Sequence, residues 1–368
     1  MTSTVASNLT GMVLAGKKSN RKWTVGEMIS VPVDRSQPNF SVGYHVTSDD
    51  GVQAFLKATD LGLLTHDGGS VYDRVRAAMD SHGFERSILD HCRSRSMDKV
   101  VVAIDYGDAM VTFGGVQDAL FYLVFELAKY DLRKHYDKTE GFALSWALGA
   151  MHQLAVGVSQ LHDGQVTHND IKPANFLVFA DDAQKISDLG CATSPLITAL
   201  HQDKHDPGDI KYAAPELLYA ETEGSQRALC TFENRRAADL YNLGSMAFYL
   251  VTGTMLTPQV IGRLATEHRP VSQSGGWNGS WADAMPYWRE AFARVISEAS
   301  DDYVRDSTSA VHSVVQEVFA IIKQLCEPDA TIRGHPLNHS GRSDRYGLER
   351  YISSFNRLRL RSLVNRDG

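Results

Sequence analysis

Two aspartates, a lysine and an asparagine lie close together near the middle of this 368-residue chain. In phosphoryl transfer, an aspartate orients the attacking hydroxyl group and a lysine neutralises charge on the group in transfer. Asparagine and aspartate also supply the oxygen ligands that Mg²⁺ prefers. The set predicts a phosphoryl-transfer site with Asp170 and Lys172 as catalytic residues and Asn175 and Asp188 as metal ligands. Taken singly, each could be a polar side chain at a turn, so the prediction depends on their combined spacing.

The spacing of these residues follows two known motifs. Asp170 and Asn175 are placed as in H-R-D-x-x-x-x-N, and Asp188 opens a segment placed as in D-F-G. The segment therefore resembles the catalytic core of eukaryotic-type protein kinases. This resemblance implies ATP and Mg²⁺ as cofactors and a protein as substrate. It also implies a bilobal α+β protein-kinase-like fold, with a small antiparallel-sheet N-lobe that carries one helix and a larger helical C-lobe.

Composition and charge limit the classes of protein and partner. The chain is 43% hydrophobic and 22% charged, as in a folded protein with room for about two domains. The net charge of −7 argues against nucleic acid as the main partner, because phosphate binding favours a basic surface. Four scattered cysteines without a C-x-x-C pair indicate reduced thiols in a cytoplasmic protein. We see neither a signal-peptide pattern nor an apolar run of membrane-spanning length, so we expect no membrane contact.

The elements that position the site begin with a small predicted sheet. Strands are expected at Trp23 to Ser30, Phe40 to Thr47, Val52 to Thr59, Lys99 to Ile104 and Phe121 to Phe125. The third strand carries Lys57, and a helix from Val71 to Cys92 carries Glu85. The resemblance implies that Lys57 holds the α- and β-phosphates of ATP and is oriented by Glu85. The alternative is that both are ordinary solvated side chains.

The phosphate-covering loop departs from the family pattern. Kinases carry G-x-G-x-x-G-x-V ahead of the third-strand lysine, whereas residues 30–41 contain no glycine. Side chains in such a loop keep backbone amides farther from phosphates. Val42 stands where the final valine is expected and is assigned to nucleotide binding. Phe55 occupies the position where the family usually has a small residue against the adenine.

The segment Phe125-Glu126-Leu127-Ala128 resembles the kinase hinge. The resemblance implies that the backbone of Glu126 and Ala128 bonds the adenine edge and that Phe125 lies behind the pocket. Leu177, on a predicted strand after the catalytic loop, would form the floor of the same pocket. The alternative for the hinge segment is a plain connection between two lobes.

One segment of the helical half bears on the class of substrate. Residues 208–216 end in Ala-Pro-Glu and resemble the end of the kinase activation segment, which small-molecule kinases usually lack. Lys172, two residues after Asp170, follows the pattern of Ser/Thr-directed kinases, although Asp209 stands where those members usually carry threonine. We therefore expect Ser/Thr hydroxyls of proteins as acceptors, with a small-molecule kinase as an alternative.

Three charged residues are expected to hold the helical half together. The resemblance implies that Asp239, at the start of a buried helix, anchors the catalytic loop. It also implies that Arg333 pairs with Glu216. We assign all three residues to structure, since breaking such a buried pair from one side costs about 3–5 kcal/mol.

The chain divides into four predicted parts. We expect a mobile N-terminal lead at residues 1–21, an N-lobe with hinge at 22–128, a C-lobe at 129–340 and an extension at 341–368. A family-specific insertion at 257–306 is considered, although ordinary C-lobe packing is the preferred interpretation. The basic segment Arg357 to Arg361 is interpreted as a solvated tail, with an acidic partner as the alternative.

Asn169 and the missing glycines bear on activity and its control. They suggest, as a further alternative, a pseudokinase scaffold that binds partners without phosphotransfer. Asn169 is uncharged where many kinases have an arginine that pairs with a phosphate on the activation segment. We therefore expect competence without phosphorylation of Thr193, Ser194 or Thr198, and control by expression or by a regulatory protein partner.

Overall fold

The computed structural model describes residues 4–29, 41–61, 70–139, 142–199, 201–205, 208–220, 223–305, 309–340 and 343–364. A sheet-rich N-terminal lobe precedes a larger helical C-terminal lobe, which confirms the predicted bilobal α+β fold. None of the helices in these ranges is both long enough and apolar enough to span a membrane.

The N-lobe is built on one antiparallel sheet. Its strands are β1 (Val13–Ala15), β2 (Lys22–Ile29), β3 (Ser41–Ser48), β4 (Gln53–Thr59), β5 (Ala103–Phe113) and β6 (Val116–Glu126). Their spatial order is β1-β2-β3-β4-β6-β5, so β6 lies between β4 and β5. A single helix, α1 (Val71–Ser94), packs against β6 and is capped by Ser70, whose hydroxyl accepts a hydrogen bond from the Asp73 amide.

The N-terminal segment is a structured part of this sheet rather than the expected mobile lead. β1 pairs with β2, which gives the sheet six strands instead of the expected five. Leu9 and Leu14 are buried in the N-lobe core, and the Tyr44 hydroxyl donates to the Ala6 carbonyl at 2.8 Å. The polar composition of residues 4–21 predicts a mobile segment, but the burial of these few apolar residues holds it against the sheet.

The strand expected at Lys99 to Ile104 begins instead at Ala103. Residues 99–102 join the two lobes, since the Val101 amide donates to the Ile186 carbonyl at 2.8 Å and the Ile186 amide donates to the Lys99 carbonyl at 2.9 Å. Val101 is buried there. The apolar, β-branched run therefore reflects burial between lobes and not membership of the N-lobe sheet.

The C-lobe combines a small sheet with many helices. Its elements are β7 (Tyr130–Asp131), α2 (Leu132–Thr139), α3 (Leu144–Asp163), β8 (Phe176–Val178), β9 (Gln184–Ile186), α4 (Pro215–Leu218), α5 (Glu223–Leu229), α6 (Phe232–Thr252), α7 (Leu256–Arg263), α8 (Trp281–Arg305), α9 (Ser309–Leu325) and α10 (Glu349–Val364). The strands lie in the order β7-β8-β9. α6 is buried from Arg235 to Leu250 without interruption and forms the centre of the lobe.

Part of the segment 257–305 packs in the C-lobe core. Trp288 and Ile296 on α8 are fully buried in the same cluster as α6, and Phe292 is nearly so. The contacts of α8 are those expected of ordinary C-lobe packing, which stays the preferred interpretation of this part of the chain.

The C-terminal basic segment is helical, and its interpretation as a solvated tail is wrong. It lies in α10, which packs against α3 and buries Phe355 and Leu358. Arg357 and Arg361 both pair with Glu317 on α9. The arginines occupy the outer face of an amphipathic helix whose apolar face is covered by the core.

Arg333 and Glu216 form the predicted buried ion pair. The Arg333 guanidinium is fully buried and donates to both carboxylate oxygens of Glu216, at 2.7 and 2.9 Å. It also donates to the Ala237 carbonyl on α6 at 2.9 Å. The pair thus joins α4, α6 and the loop after α9.

We predict that Arg333→Met lowers the free energy of unfolding by about 3–5 kcal/mol, because Glu216 is left buried without its partner. Urea titration followed by circular dichroism measures the change. The matched control is Arg294→Met, which removes an exposed arginine paired with Glu290 on α8 and should cost less than about 1 kcal/mol. Equal losses in the two variants would contradict the structural role of Arg333.

Candidate functional site

A cavity of about 530 Å³ lies between the two lobes and brings most of the predicted site residues together. Residues from both lobes line it: Lys57, Glu85, Glu126, Ala128, Lys172, Asn175, Leu177 and Asp188. Asp170 lies beside this lining and is hydrogen-bonded to it, whereas Val42 is elsewhere. The glycine-poor loop at 30–40 lies outside the described residues.

Lys57 links the lobes through two carboxylates. Its Nζ lies 2.8 Å from Glu85 Oε1 on α1 and 2.8 Å from Asp188 Oδ1 after β9. Burial alone would lower the pKa of Lys57, but Asp188 and Glu85 raise it well above its ordinary value. The nearby Lys57 ammonium lowers the pKa of Asp188 to about 2, whereas burial raises the pKa of Glu85. The site therefore holds a fixed cation flanked by two acids.

The loop that carries Asp170, which the sequence predicts to be the catalytic loop, is fixed by hydrogen bonds to Asp239. This fully buried carboxylate accepts hydrogen bonds from the amides of His168 and Asn169, at 2.8 and 2.9 Å. It also lies 2.9 Å from His162 Nε2 at the end of α3. Asn169 has φ of 65°, a left-handed conformation that asparagine tolerates better than most residues. The residues before Asp170 are thereby held in one conformation.

Asp170 is buried among donors. Its Oδ2 accepts from Asn175 Nδ2 at 3.0 Å and lies 2.9 Å from Lys172 Nζ. Its Oδ1 accepts from the Asp209 amide at 3.1 Å. Burial raises the pKa of Asp170, with Lys172 opposing the shift, while Asp170 raises the pKa of Lys172 against the effect of burial. The pair can hold a hydroxyl group and compensate negative charge beside it.

Gly208 permits the close approach of the activation segment to this loop. Its φ is 64°, and a Cβ at this position would lie 2.5 Å from the Asn169 carbonyl oxygen. A side chain would therefore push the segment away and break the hydrogen bond from the Asp209 amide to Asp170.

The residues present fit a magnesium ion. The amide nitrogen of Asn175 donates to the Asp170 backbone and carboxylate, so the Asn175 oxygen is its remaining polar atom. Asn175 and Asp188 line the same cavity, and the described residues contain no cluster of three or more acidic, histidine or cysteine ligands. Mg²⁺ commonly takes one or two protein oxygens and completes its coordination with phosphates and water.

Val42 was wrongly assigned to nucleotide binding. Along β3 and β4, Gly43 pairs with Lys57 and Val42 pairs with Ala58. Because directly paired residues lie on the same face of a sheet, Gly43 faces the cavity with Lys57, whereas Val42 packs against the N-lobe core. Identifying Gly43 requires the pairing register of β3 with β4, which places it directly opposite Lys57.

The Phe55 ring on β4 fills the space that a side chain at position 43 on β3 would occupy. A Cβ on Gly43 would lie 2.7 Å from Phe55 Cε2 and 3.0 Å from Cζ, so the ring occupies the place of a side chain at position 43. The Phe55 ring centroid is 6.3 Å from that of Phe125, behind the hinge. The large residue at 55 is thus accommodated by the absence of one at 43.

The activation segment, which begins at Cys191 and ends at Glu216, is attached to the C-lobe by hydrogen bonds from the side chains of Asn169 and Arg235. Asn169 Nδ2 donates to the Cys191 carbonyl at 2.9 Å and to Thr193 Oγ1 at 3.1 Å. Farther along, Arg235 on α6 donates to the carbonyls of Gln202 and Lys204, at 2.9 and 3.2 Å. These contacts hold both ends of residues 191–204 against the rest of the protein.

Comparison with known proteins finds a matching family model and several similar proteins. A family model described as "Protein kinase domain" matches residues 78–335. "Cell division control protein 2 homolog 3" of Trypanosoma brucei brucei is 30% identical over 184 residues, which cover 48% of this chain and 55% of that protein. "Serine/threonine-protein kinase PrkC" of Bacillus subtilis (strain 168) is 29% identical over 140 residues, or 38% of this chain and 20% of that protein. The chain thus spans about half or less of the length of these relatives.

The Gly43–Phe55 pair can be tested by a double-mutant cycle. Gly43→Val should destabilise the fold by about 1–3 kcal/mol through overpacking, and Phe55→Ala should destabilise it through lost burial. The double variant restores a side chain where the ring was removed. We expect its loss to be smaller than the sum of the two single losses by at least about 1 kcal/mol in urea titrations. Additive losses would show that the two positions do not share space.

Proposed function

The chain belongs to the protein kinase domain family, and from this we propose that it transfers the γ-phosphoryl group of ATP to serine or threonine hydroxyls of protein substrates with Mg²⁺. The observation that carries the proposal is the set of contacts in the cleft. Lys57 is paired with Glu85 and Asp188, and Asp170 is paired with Lys172, all within or beside one cavity.

Each residue has a defined part in the proposed reaction. Lys57 binds the α- and β-phosphates, and the backbone of Glu126 and Ala128 binds the adenine edge. Asp170 orients the acceptor hydroxyl and takes up its proton. The hydroxyl oxygen bonds to the γ-phosphorus while the bond from that phosphorus to the β–γ bridging oxygen breaks, and ADP leaves. Lys172 stabilises the charge of the transferring group.

Mg²⁺ at Asn175 and Asp188 would neutralise phosphate charge and orient the leaving group. Asp188 suits this part because the pKa of its carboxyl is held at about 2 by Lys57, so the carboxylate is charged at neutral pH.

The choice of serine and threonine is supported by two observations. Lys172 contacts Asp170 at 2.9 Å and can lie beside the transferring group. A relative from Bacillus subtilis (strain 168) carries the name of a serine/threonine-protein kinase. A pseudokinase remains the rival function, suggested by the absence of glycine from residues 30–41. An assay of radiolabelled ATP with a generic protein substrate, and separately with small hydroxylated substrates, distinguishes the protein kinase from the pseudokinase and from a small-molecule kinase.

We predict that Asp170→Asn lowers phosphotransfer by about 10²–10⁴, because the group that orients the hydroxyl and takes its proton is lost. Nucleotide affinity should change little, since Asp170 does not line the cavity. Initial rates with radiolabelled ATP and calorimetry of nucleotide binding measure the two effects. Asp181→Asn is the matched control, an exposed acid at the β8–β9 turn, and should keep the full rate. Near-normal turnover of Asp170→Asn would contradict the assignment.

The contacts of the activation segment lead to a prediction about control. Thr193 and Ser194 are only 1% and 2% exposed, whereas Thr198 is exposed. We propose that the segment is ordered by Asn169 and Arg235 instead of a phosphate. Phosphatase-treated protein and Thr198→Ala should therefore keep their rate within about twofold, because the proposed ordering of the segment needs no phosphate and no phosphate-dependent contact is lost.

Asn169→Ala provides the contrasting variant in the same rate assay. It removes two hydrogen bonds to the segment, each contributing about 0.5–1.5 kcal/mol, and should slow phosphotransfer. A loss of more than about tenfold on phosphatase treatment, equivalent to about 1.4 kcal/mol of barrier, would show that a phosphate is required after all.

A further inference from the structure

Three basic side chains line one edge of the cleft next to the hinge. Lys129, Arg133 and Lys134, which we call the basic rim, all border the cavity that contains Lys57 and Lys172. They lie on the segment that leaves the hinge and enters α2. The chain as a whole carries a net charge of −7, so this concentration of positive charge at the cleft is opposite in sign to the net charge of the protein.

The positive charge of the rim is largely uncompensated within the described part of the chain. Neither Lys129 nor Lys134 has a carboxylate oxygen within 4.0 Å of its ammonium there. Arg133 reaches Asp131 only at 3.7 Å, and its Nε is shielded from solvent without a hydrogen-bond partner among those residues. Lys129 is exposed, and its ammonium lies 5.7 Å from the centroid of the Tyr130 ring.

Three of the five acids that border the cavity are paired with cations outside the rim. Glu85 and Asp188 pair with Lys57, and Glu126 pairs with Lys185. Asp131 accepts a hydrogen bond from the Lys134 amide at 2.9 Å, which places it at the start of α2 as a helix cap. An external anion would therefore meet the rim without displacing a strong internal ion pair.

The rim lies beside the catalytic loop. β7 pairs with β8 in the register Asp131 to Leu177, and α2 packs against the turn Pro173–Asn175. The rim is therefore one strand away from the residues that follow Asp170 and Lys172. A polypeptide that presents a hydroxyl to Asp170 can place its neighbouring side chains against Lys129 and Lys134.

We infer that the basic rim selects protein substrates that carry acidic side chains close to the serine or threonine that is phosphorylated. The inference rests on the proposed function. Long-range attraction between such a peptide and the rim raises the rate of encounter, and charge pairing at the rim discriminates against basic sequences. The phosphates of ATP are expected at Lys57, whereas Lys129 directly follows the hinge that binds the adenine edge, so the rim remains available to a second ligand.

The first experiment compares three peptides that differ only around one acceptor serine, which is flanked by glutamates, glutamines or lysines. We expect the wild-type protein to have kcat/KM values in the order glutamate, glutamine, lysine, with about a tenfold span, as for a few partly exposed charge pairs. The preference should weaken as ionic strength is raised from about 0.05 M to about 0.5 M, because salt screens charges at a surface. A preference for the lysine peptide, or none, overturns the inference.

The second experiment changes the rim charge in steps. Lys129→Gln/Lys134→Gln should abolish the ratio of glutamate to lysine peptide rates, and Lys129→Glu/Lys134→Glu should invert it. Arg133 is kept, because its partly buried side chain contributes to packing. Lys22→Glu, which reverses an exposed lysine on β2 outside the cavity, should leave the ratio as in the wild type. A rim variant that alters the KM for ATP but not the peptide ratio would assign the rim to the nucleotide.

A binding measurement separates this inference from the proposed function. Fluorescence anisotropy of the labelled peptides, with a non-hydrolysable ATP analogue present, needs no phosphotransfer. Charge-selective binding that depends on Lys129 and Lys134, without any phosphate incorporation, would leave the rim assignment standing and remove the proposed function. Phosphate incorporation that is indifferent to peptide charge and to both rim variants would do the reverse.

Discussion

Lys57 is shared by one carboxylate from each lobe, and the relative position of the lobes depends on it. Removing a charge from water costs several kcal/mol unless the charge is paired, so the shielded ammonium requires both Glu85 and Asp188. Because these acids belong to α1 and to the segment after β9, three elements are placed at once. Two acids around a single ammonium also leave negative charge in the cleft, which suits a site that would receive a divalent cation with its nucleotide.

Two residues of the site adopt backbone conformations that cost free energy. Asn169 and Asp188 both have positive φ, 65° and 63°, and such backbone conformations cost about 1–3 kcal/mol each where the residue is not glycine. Asp239 offsets this cost for Asn169 by binding two successive amides of the catalytic loop. Lys57 does so for Asp188 through its side chain. The rigid parts of the molecule thus maintain a strained arrangement at the place where chemistry is proposed.

The sequence revealed the site better than it revealed the sheet that carries it. Asp170, Asn175 and Asp188 belong to short local motifs, so their proximity could be predicted without tertiary information. Gly43 could be found only from the pairing register of β3 with β4, which hydrophobicity around Val42 does not specify. Burial of Leu9 and Leu14 and the departure of residues 99–102 from the sheet depend on contacts between distant segments. No local pattern of polarity reports such contacts.

The strand order of the N-lobe has a consequence for any shortened form of the protein. The family-model match begins at residue 78, after β4, and a fragment cut there would lack Lys57 and four of the six strands. β6 pairs with β4 on one side, so the cut would leave its hydrogen-bonding groups open along that edge. An uncovered edge rich in apolar residues, Leu120 to Phe125, is a template for pairing with other chains. Such a fragment should aggregate, and the catalytic loop would be left without the sheet that faces it.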